Sequence, residues 1–406
     1  MNILELNEEE SRKLSEQELD IETAKTLQHD HKKKLSLEYN LWDHTYTLRS
    51  KGYIGYIPVN ERYTIKIRPK VNVNNVFRML EYAYKLKSFE LLEGLTKVES
   101  TEDFFERFVN ILARRILERN RKGLYCDYVE RSDTLPYLRG RMRILPTTVS
   151  MLRGAIAPTC EFEEHTSDLE ENQILLWTLY QLRQFQIKRE DVRRVVRKAY
   201  RELIHKARLN QIEPEDCIDR FYNRLNQDYQ PLHGLCRFFL EHVGPGIERG
   251  SYDFLPFVIH MPSLFESFIA EWLREKMPSE YKVKKQHRAI LDSEGKFEFR
   301  IDLVIADSVT GETVCVLDTK YKTSPKPEES DICQIHTYAA KMETKNAYLV
   351  YPSAITRLDS TIDDIAVRSI VFDISRDPDE AGLIFLDELI EQLKRSMLVN
   401  CAGALS

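Results

Sequence analysis

FEFRIDLVIADSVTGETVCVLDTKYK, residues 297–322, is the stretch on which the fold turns. It reads as two apolar strands joined by a hairpin. Residues 300–305 form the first, with Asp302 inside it; the second runs into Asp318 and Lys320, and residues 307–312 between them are rich in turn formers. Alternate side chains of a strand share a face, so Asp318 and Lys320 point together and Thr319 points away. A turn centred near Thr310 sets Asp302 roughly opposite Asp318. Two carboxylates facing each other within an apolar sheet repel and lose hydration, a situation relieved by a cation or a shared proton. Mg²⁺ or Mn²⁺, hard ions that take oxygen ligands, suit such a pair. The plainer alternative is two strand-end acids, solvated and salt-bridged to Arg300 or Lys320.

The flanking sequence narrows the choice. Upstream, MPSLFESFIAEWLREKM (residues 261–277) carries Phe265, Phe268, Ile269, Trp272 and Leu273 at helical spacing, with Glu266 beside the apolar stripe. Glu266 also fits a capping box with Ser263 as N-cap, and the cap and site readings are compatible. Downstream, SDICQIHTYAAKM (residues 330–342) puts Gln334 and Tyr338 one turn apart on one helix face, which is also what an ordinary polar face would show.

A helix with Glu, a strand with Asp, a strand with Asp-x-Lys and a helix with Gln-x-x-x-Tyr follow one another in the order of the PD-(D/E)XK nuclease core. The chain resembles that core at Glu266, Asp302, Asp318, Lys320, Gln334 and Tyr338, with Ile301 where the motif's name has proline. The resemblance implies that Asp302 and Asp318, with Glu266, hold the metal. Lys320, with a pKa depressed by neighbouring positive charge, would orient or deprotonate the attacking water, and Gln334 and Tyr338 would position the DNA backbone or Lys320.

Composition sets the outer limits. With 406 residues, 42% hydrophobic and 31% charged, the chain has the make-up of a soluble protein of two or three domains. It has no run as long as a membrane span, and its start, MNILELNEEESRKL, lacks the regions of a signal peptide, so a cytoplasmic location is expected. Seven scattered cysteines without a CxxC pair argue against structural zinc, a disulfide framework and a four-cysteine iron–sulfur cluster. A net charge of −6 gives no global attraction to DNA, leaving local patches or a partner to supply it. Two basic stretches stand out: residues 187–209, which read as a solvated helix face with internal Glu/Arg pairs, and KVKKQHR at 282–288, placed for phosphate contact.

The expected architecture is α+β and multidomain. Residues 1–33 are charged, helix-favouring and expected to bury little. LSLEYN, TYTLRS, YIGYIPV and YTIKIRPK then give a β-rich N-terminal module at 1–70, a compact barrel or curled sheet suited to partner docking. A mostly helical middle region spans 71–250, closed by the glycine-rich linker GPGIERG at 244–250. Residues 251–406 form an α/β, restriction-endonuclease-like PD-(D/E)XK domain with a mixed central sheet, ending in strands at 346–351 and 369–374 and an amphipathic helix. Within the middle region, Arg139-Gly140-Arg141 suits close approach to phosphate or carboxylate groups of a partner, or an ordinary surface loop.

Taken together, GYIGYIPV with IKIRPK, LPYLRGRMRI, SDLEENQILL, and MPSLFESFIAEWL leading to RIDLVI and LDTKYK resemble the McrC family, the nuclease subunits of McrBC-type modification-dependent restriction systems. That resemblance implies a Mg²⁺-dependent endonuclease acting on double-stranded DNA. A separate AAA+ GTPase would recognise the modified DNA, and this chain would dock on its ring and stimulate it; Arg139 and Arg141 are the candidate contacts. The chain has no G-x-x-x-x-G-K-[ST] loop, so no nucleotide is expected to bind to it. Two rival functions stay open: a catalytically silent activator of an AAA+ NTPase, and a stand-alone repair nuclease.

Overall fold

A computed structural model describes residues 2–60, 62–86, 101–154, 157–185, 187–242, 257–290, 298–322 and 325–403. From the N-terminus the elements are β1 (Asn2–Asn7), β2 (Ser11–Ser15), α1 (Ile21–Asp30), β3 (Leu35–Asn40), β4 (Thr45–Ser50), β5 (Tyr53–Pro58), β6 (Tyr63–Arg68) and α2 (Val73–Ala83). Then come α3 (Thr101–Lys122), β7 (Asp127–Thr134), β8 (Arg141–Met142), α4 (Ile144–Leu152), β9 (Thr159–Thr166), α5 (Glu170–Arg183), α6 (Glu190–Leu203) and α7 (Tyr229–His242). The last third holds β10 (Val258–His260), α8 (Met261–Lys276), β11 (Tyr281–Ile290), β12 (Glu298–Asp307), β13 (Thr313–Thr319), α9 (Glu329–Lys341), β14 (Asn346–Tyr351), β15 (Asp359–Ile362), β16 (Ile365–Val371) and α10 (Pro378–Gly403). The fold is mixed α and β, and among the described residues no helix is long and apolar enough to cross a membrane.

The chain divides into two compact units, one of residues 1–97 with 256–406 and one of residues 98–255. The first unit therefore draws on both ends of the chain, whereas the sequence reading places its breaks at 70/71 and 250/251. The linker expected at 244–250 lies outside the described residues.

In the first unit, β1-β6-β5-β10 and β2-β4-β3 form two sheets over one core that includes Leu4, Leu6, Leu14, Leu48, Ile57, Ile65 and Ile67. The four strands expected at 35–40, 45–50, 53–59 and 63–70 are all present. The expectation for residues 1–33 is corrected: they supply β1, β2 and α1, and Leu4, Leu6, Leu14, Leu19 and Leu27 are buried. In NILELN the apolar residues at alternate positions face inward, a period-two signal masked by the surrounding charge. β10 joins from the far end of the sequence, with Val258 paired to Gly55. Gly55, at φ +114, is required there, because a side chain would collide with the Phe257 carbonyl.

The second sheet system of this unit has six strands in the order β11-β12-β13-β14-β16-β15. β11, β12 and β13 are antiparallel neighbours, β13, β14 and β16 run parallel, and β15 is antiparallel again. β12, β13 and β14 are buried apolar runs, as central strands of a covered sheet are. α9 packs through Ile335, Tyr338 and Ala339 into the core that contains Ile301, Val304, Val316 and Leu349.

The second unit packs α3, α5, α6 and α7 around Phe105, Phe108, Leu112, Ile116, Phe238 and Phe239. It also holds a three-stranded sheet, β7-β9-β8, in the region read as mostly helical. β7 buries none of its residues, and in β9 only Cys160 and Phe162 alternate inward, so the hydrophobic pattern that marks strands is short and confined to one strand.

Candidate active site

β12 and β13 pair with Leu303 against Leu317, Val304 against Val316 and Ile305 against Cys315; one step further sets Asp302 opposite Asp318. The opposition read from the sequence is thus the register of the hairpin. Asp307 accepts from the amides of Val309 and Thr310, both at 2.8 Å, and so fixes the turn. A bulge between Ile305 and Ala306 takes up the remaining residue. Asp318 lies at the carboxyl end of β13, where the sheet changes from antiparallel to parallel neighbours, the kind of place where open α/β sheets bind ligands.

The two acids are held differently. Asp302 Oδ2 accepts from the Thr319 amide at 2.8 Å and from its hydroxyl at 2.9 Å. Asp318 is 2% exposed, and Lys320 Nζ stands 2.6 Å from its Oδ2. That contact is an ion pair, and among the described residues Asp318 Oδ2 has no further hydrogen-bond partner. Burial pushes the Asp318 carboxyl up, and the charge of Asp302 pushes it further; the Lys320 ammonium only partly offsets them.

Lys320 shifts upward as well. Burial pulls it down, but Asp318, Asp331 and Asp302 together outweigh burial and favour the ammonium. The expected depression of Lys320 by neighbouring positive charge is therefore corrected, since the groups around it are carboxylates. Lys320 Nζ also donates to Gln334 Oε1 at 2.8 Å, and Gln334 Nε2 donates to the Tyr338 hydroxyl at 2.6 Å. β13 and α9 thus bring Asp318, Lys320, Gln334 and Tyr338 into one chain of polar contacts.

Glu266 stands apart from that chain. α8 begins at Met261 with His260 at its cap, so Ser263 lies inside the first turn, with its hydroxyl 2.7 Å from His260 Nδ1; the capping-box reading of Ser263 and Glu266 is corrected. Glu266 Oε1 accepts from Gln286 Nε2 at 3.2 Å. Its carboxyl is raised by burial and then by Asp302, with Lys285 and Gln286 opposing. Glu266 and Asp302 therefore feel each other's charge. Among the described residues, no three His, Cys, Asp or Glu side chains are grouped closely enough to hold a metal ion as they stand. The donor set fits a divalent ion at the Asp302–Asp318 pair, where an under-bonded buried oxygen and two like charges await compensation.

Two residues of the site are absent from the sequence reading. Asp331, 4% exposed, has Oδ1 at 3.4 Å from Lys320 Nζ, while Lys322 Nζ donates to both its oxygens at 3.1 and 3.0 Å. It shares a helix face with Gln334 and Tyr338, and that spacing was the available signal. Gln286 lies opposite Asp302, between the pairs Lys285–Leu303 and His287–Ile301, and its φ of +48 is a conformation that side-chain-bearing residues rarely adopt. Nothing in the sequence marks it.

The remaining candidates sit elsewhere. Residues 282–288 lie in the edge strand β11, where Lys285 Nζ donates to Ser267 Oγ at 2.7 Å and Lys282 is exposed. In α6, Arg193 and Arg194 pair with Glu190 and Lys198 with Glu202, which matches the solvated-face reading. Arg139 stacks 4.0 Å above the Phe162 ring and pairs with Glu164, and Arg141 is exposed in β8. Gly140, at φ +67, meets β9 so closely that a side chain would strike the Glu161 carbonyl. The glycine between the arginines thus serves an internal contact.

The McrBC family, described as McrBC 5-methylcytosine restriction system component, matches residues 48–352, and the chain belongs to it. It is 22% identical over 316 residues to the type IV methyl-directed restriction enzyme EcoKMcrBC of Escherichia coli (strain K12), an alignment that covers 71% of this chain and 88% of that one. A chain in the refined half-complex from the tetradecameric assembly of Thermococcus gammatolerans McrB AAA+ hexamers with bound McrC shares its fold, with a TM-score of 0.56 at 17% identity over 96% of this chain and all of the other.

Proposed function

We propose that the chain is the divalent-metal-dependent DNA endonuclease subunit of a McrBC-type restriction complex, working with, and stimulating, an AAA+ GTPase that recognises methylated DNA. The carrying observation is Asp302 in register with a buried Asp318, itself 2.6 Å from Lys320. The antiparallel β11-β12-β13 meander followed by parallel β14, with α8 and α9 bearing Glu266 and Gln334, is the arrangement expected of a PD-(D/E)XK domain. Family membership and the assemblies of its relatives with McrB AAA+ hexamers support the partner.

Asp302 and Asp318 would hold Mg²⁺ or Mn²⁺. When bound, the ion supplies positive charge that polarises the scissile phosphate and acidifies the attacking water. Thr319 fixes the free rotation of Asp302 through two donors to one oxygen. Lys320, kept as an ammonium by its carboxylate neighbours, orients the attacking water and donates to the phosphate. Gln334, oriented by Tyr338, holds Lys320 in place. Glu266 orients a second water or joins the ligand set on closure around DNA. Lys282, Lys284 and Arg288 of β11 supply phosphate contacts that the net charge of −6 does not. Arg139 and Arg141, with the exposed Leu138, Ile144 and Leu145 around them, form the face offered to the ring.

The test is Asp318→Ala in the complex assembled with the GTPase. Cleavage of methylated DNA is expected to vanish while stimulation of GTP hydrolysis persists. Undiminished cutting would remove Asp318 from the site, and brisk cutting by the unmutated chain with Mg²⁺ alone would mark a stand-alone nuclease.

A further inference from the structure

Beyond Lys320 the sheet loses its hold on the chain. The β13–β14 pairing ends with Thr319 against Val350. The Lys320 amide still donates to the Val350 carbonyl at 2.8 Å, and the Lys322 amide then turns back onto the Lys320 carbonyl at 2.9 Å. What anchors the residue between them is its side chain. The Tyr321 hydroxyl donates to Glu8 Oε2 at 3.3 Å, and the Lys70 ammonium lies 4.0 Å from the centroid of its ring. The same ring stands 5.9 Å from that of Phe265, the neighbour of Glu266 on α8.

Glu8 and Lys70 lie just past the ends of β1 and β6 in the N-terminal sheet. The Glu8 amide donates to the Arg68 carbonyl at 3.0 Å, extending the β1–β6 pairing, and Glu8 Oε2 accepts from the Lys70 amide at 3.3 Å. Glu8 is 1% exposed, and its Oε1 meets no hydrogen-bond donor among the described residues. For packing alone an apolar side chain would fill this place at lower cost, because a buried carboxylate with an unmet oxygen is unfavourable. What the carboxylate adds is direction. It ties the Tyr321 hydroxyl to one point, and with it the backbone that presents Lys320.

We propose that Glu8 and Tyr321 are positioning residues: through their hydrogen bond the N-terminal sheet keeps Lys320 within reach of Asp318 and Gln334. The inference rests on the reading of Lys320 as a catalytic group. In the full chain assembled with its GTPase, Tyr321→Phe and Glu8→Leu are each expected to slow cleavage at saturating DNA by about ten- to a hundredfold, with KM for DNA unchanged. The double variant should lose no more than either single one, since both break one bond. Glu8→Gln, which still accepts from the hydroxyl, should recover to within about threefold of the parent.

Tyr321→Phe and Glu8→Gln are near-isosteric, so the test does not depend on Glu8→Leu folding. Full-speed cleavage by Tyr321→Phe beside a dead Lys320→Ala would overturn the positioning pair and leave the site reading intact. Full-speed cleavage by both would overturn the two together. A loss confined to KM, or equal losses in Glu8→Gln and Glu8→Leu, would also overturn the pair.

Discussion

The β7-β9-β8 sheet and the β12–β13 hairpin both carry acids and bases on neighbouring strands, and they come out as opposites. In the first, Arg131 of β7 pairs with Glu164 of β9 at 2.7 Å, and Arg143, just past β8, pairs with Glu161 of β9 at 3.0 Å, with all four side chains at least a quarter exposed. Water screens these pairs, and each is worth little. In β12–β13 the same chemical types sit within an apolar sheet, where Asp318 and Lys320 are 3% and 13% exposed. There two acids compete for one ammonium, and burial raises the Asp318 carboxyl even with a cation 2.6 Å away. Desolvation, more than the identity of the residues, separates the two.

The sharpest way to break this contrast is Asp302→Asn. Removing one of two facing carboxylates should lower metal-dependent DNA cleavage about a thousandfold, roughly 4 kcal/mol of lost transition-state stabilisation. A loss below tenfold in a nicking assay would mean that the pair does not hold the ion.

Glu8 extends the contrast to stability. Burial lifts its carboxyl from 4.5 to about 7, against the opposing influence of Lys70. An acid bound to its proton more tightly when folded contributes stability that is full below about pH 4.5 and lost as pH rises through about 7. Glu8→Gln should therefore be the more stable form above pH 7, by on the order of 2 kcal/mol, and equal to the parent near pH 4. Thermal unfolding at the two pH values decides it, and a pH-independent difference would contradict the burial argument.

Gln334→Ala frees Lys320 from one of its tethers. Cleavage should fall about tenfold, near 1.4 kcal/mol, with KM for DNA little changed. Beside β9, by comparison, Arg143→Ala should move stability by less than about 1 kcal/mol and leave the chemical step alone. A larger effect there would show that exposure had been a poor guide.

What could be read from the sequence follows the same line. Asp302 and Asp318 could be matched because an apolar strand on each side and a turn around Thr310 leave few registers. The four strands between residues 35 and 68 were legible for the same reason. β7 and β9 were not, because DYVERSDT has no run of alternating apolar residues and TCEFEEHT has only Cys160 and Phe162 to mark a buried face. Asp331 was hidden by its position, since an acid in the first turn of a helix is ordinary. Gln286 comes to face Asp302 at an unusual backbone angle, which side-chain pattern does not encode. The pKa of Lys320 was misjudged because its charge neighbours come from α9 as well as from its own hairpin.

β10 has a bearing on how the protein is made. The N-terminal sheet gains its fourth strand only when Val258 reaches Gly55, so the opening segment must wait while the ribosome delivers the residues in between. Until then that segment presents an unfinished edge along β5, and the second unit, contiguous in sequence, is free to collapse first. Under the proposed function, Lys320 is made long after the strands to which its neighbour Tyr321 is tied through Glu8, so the site would stay incomplete for most of the chain's own translation.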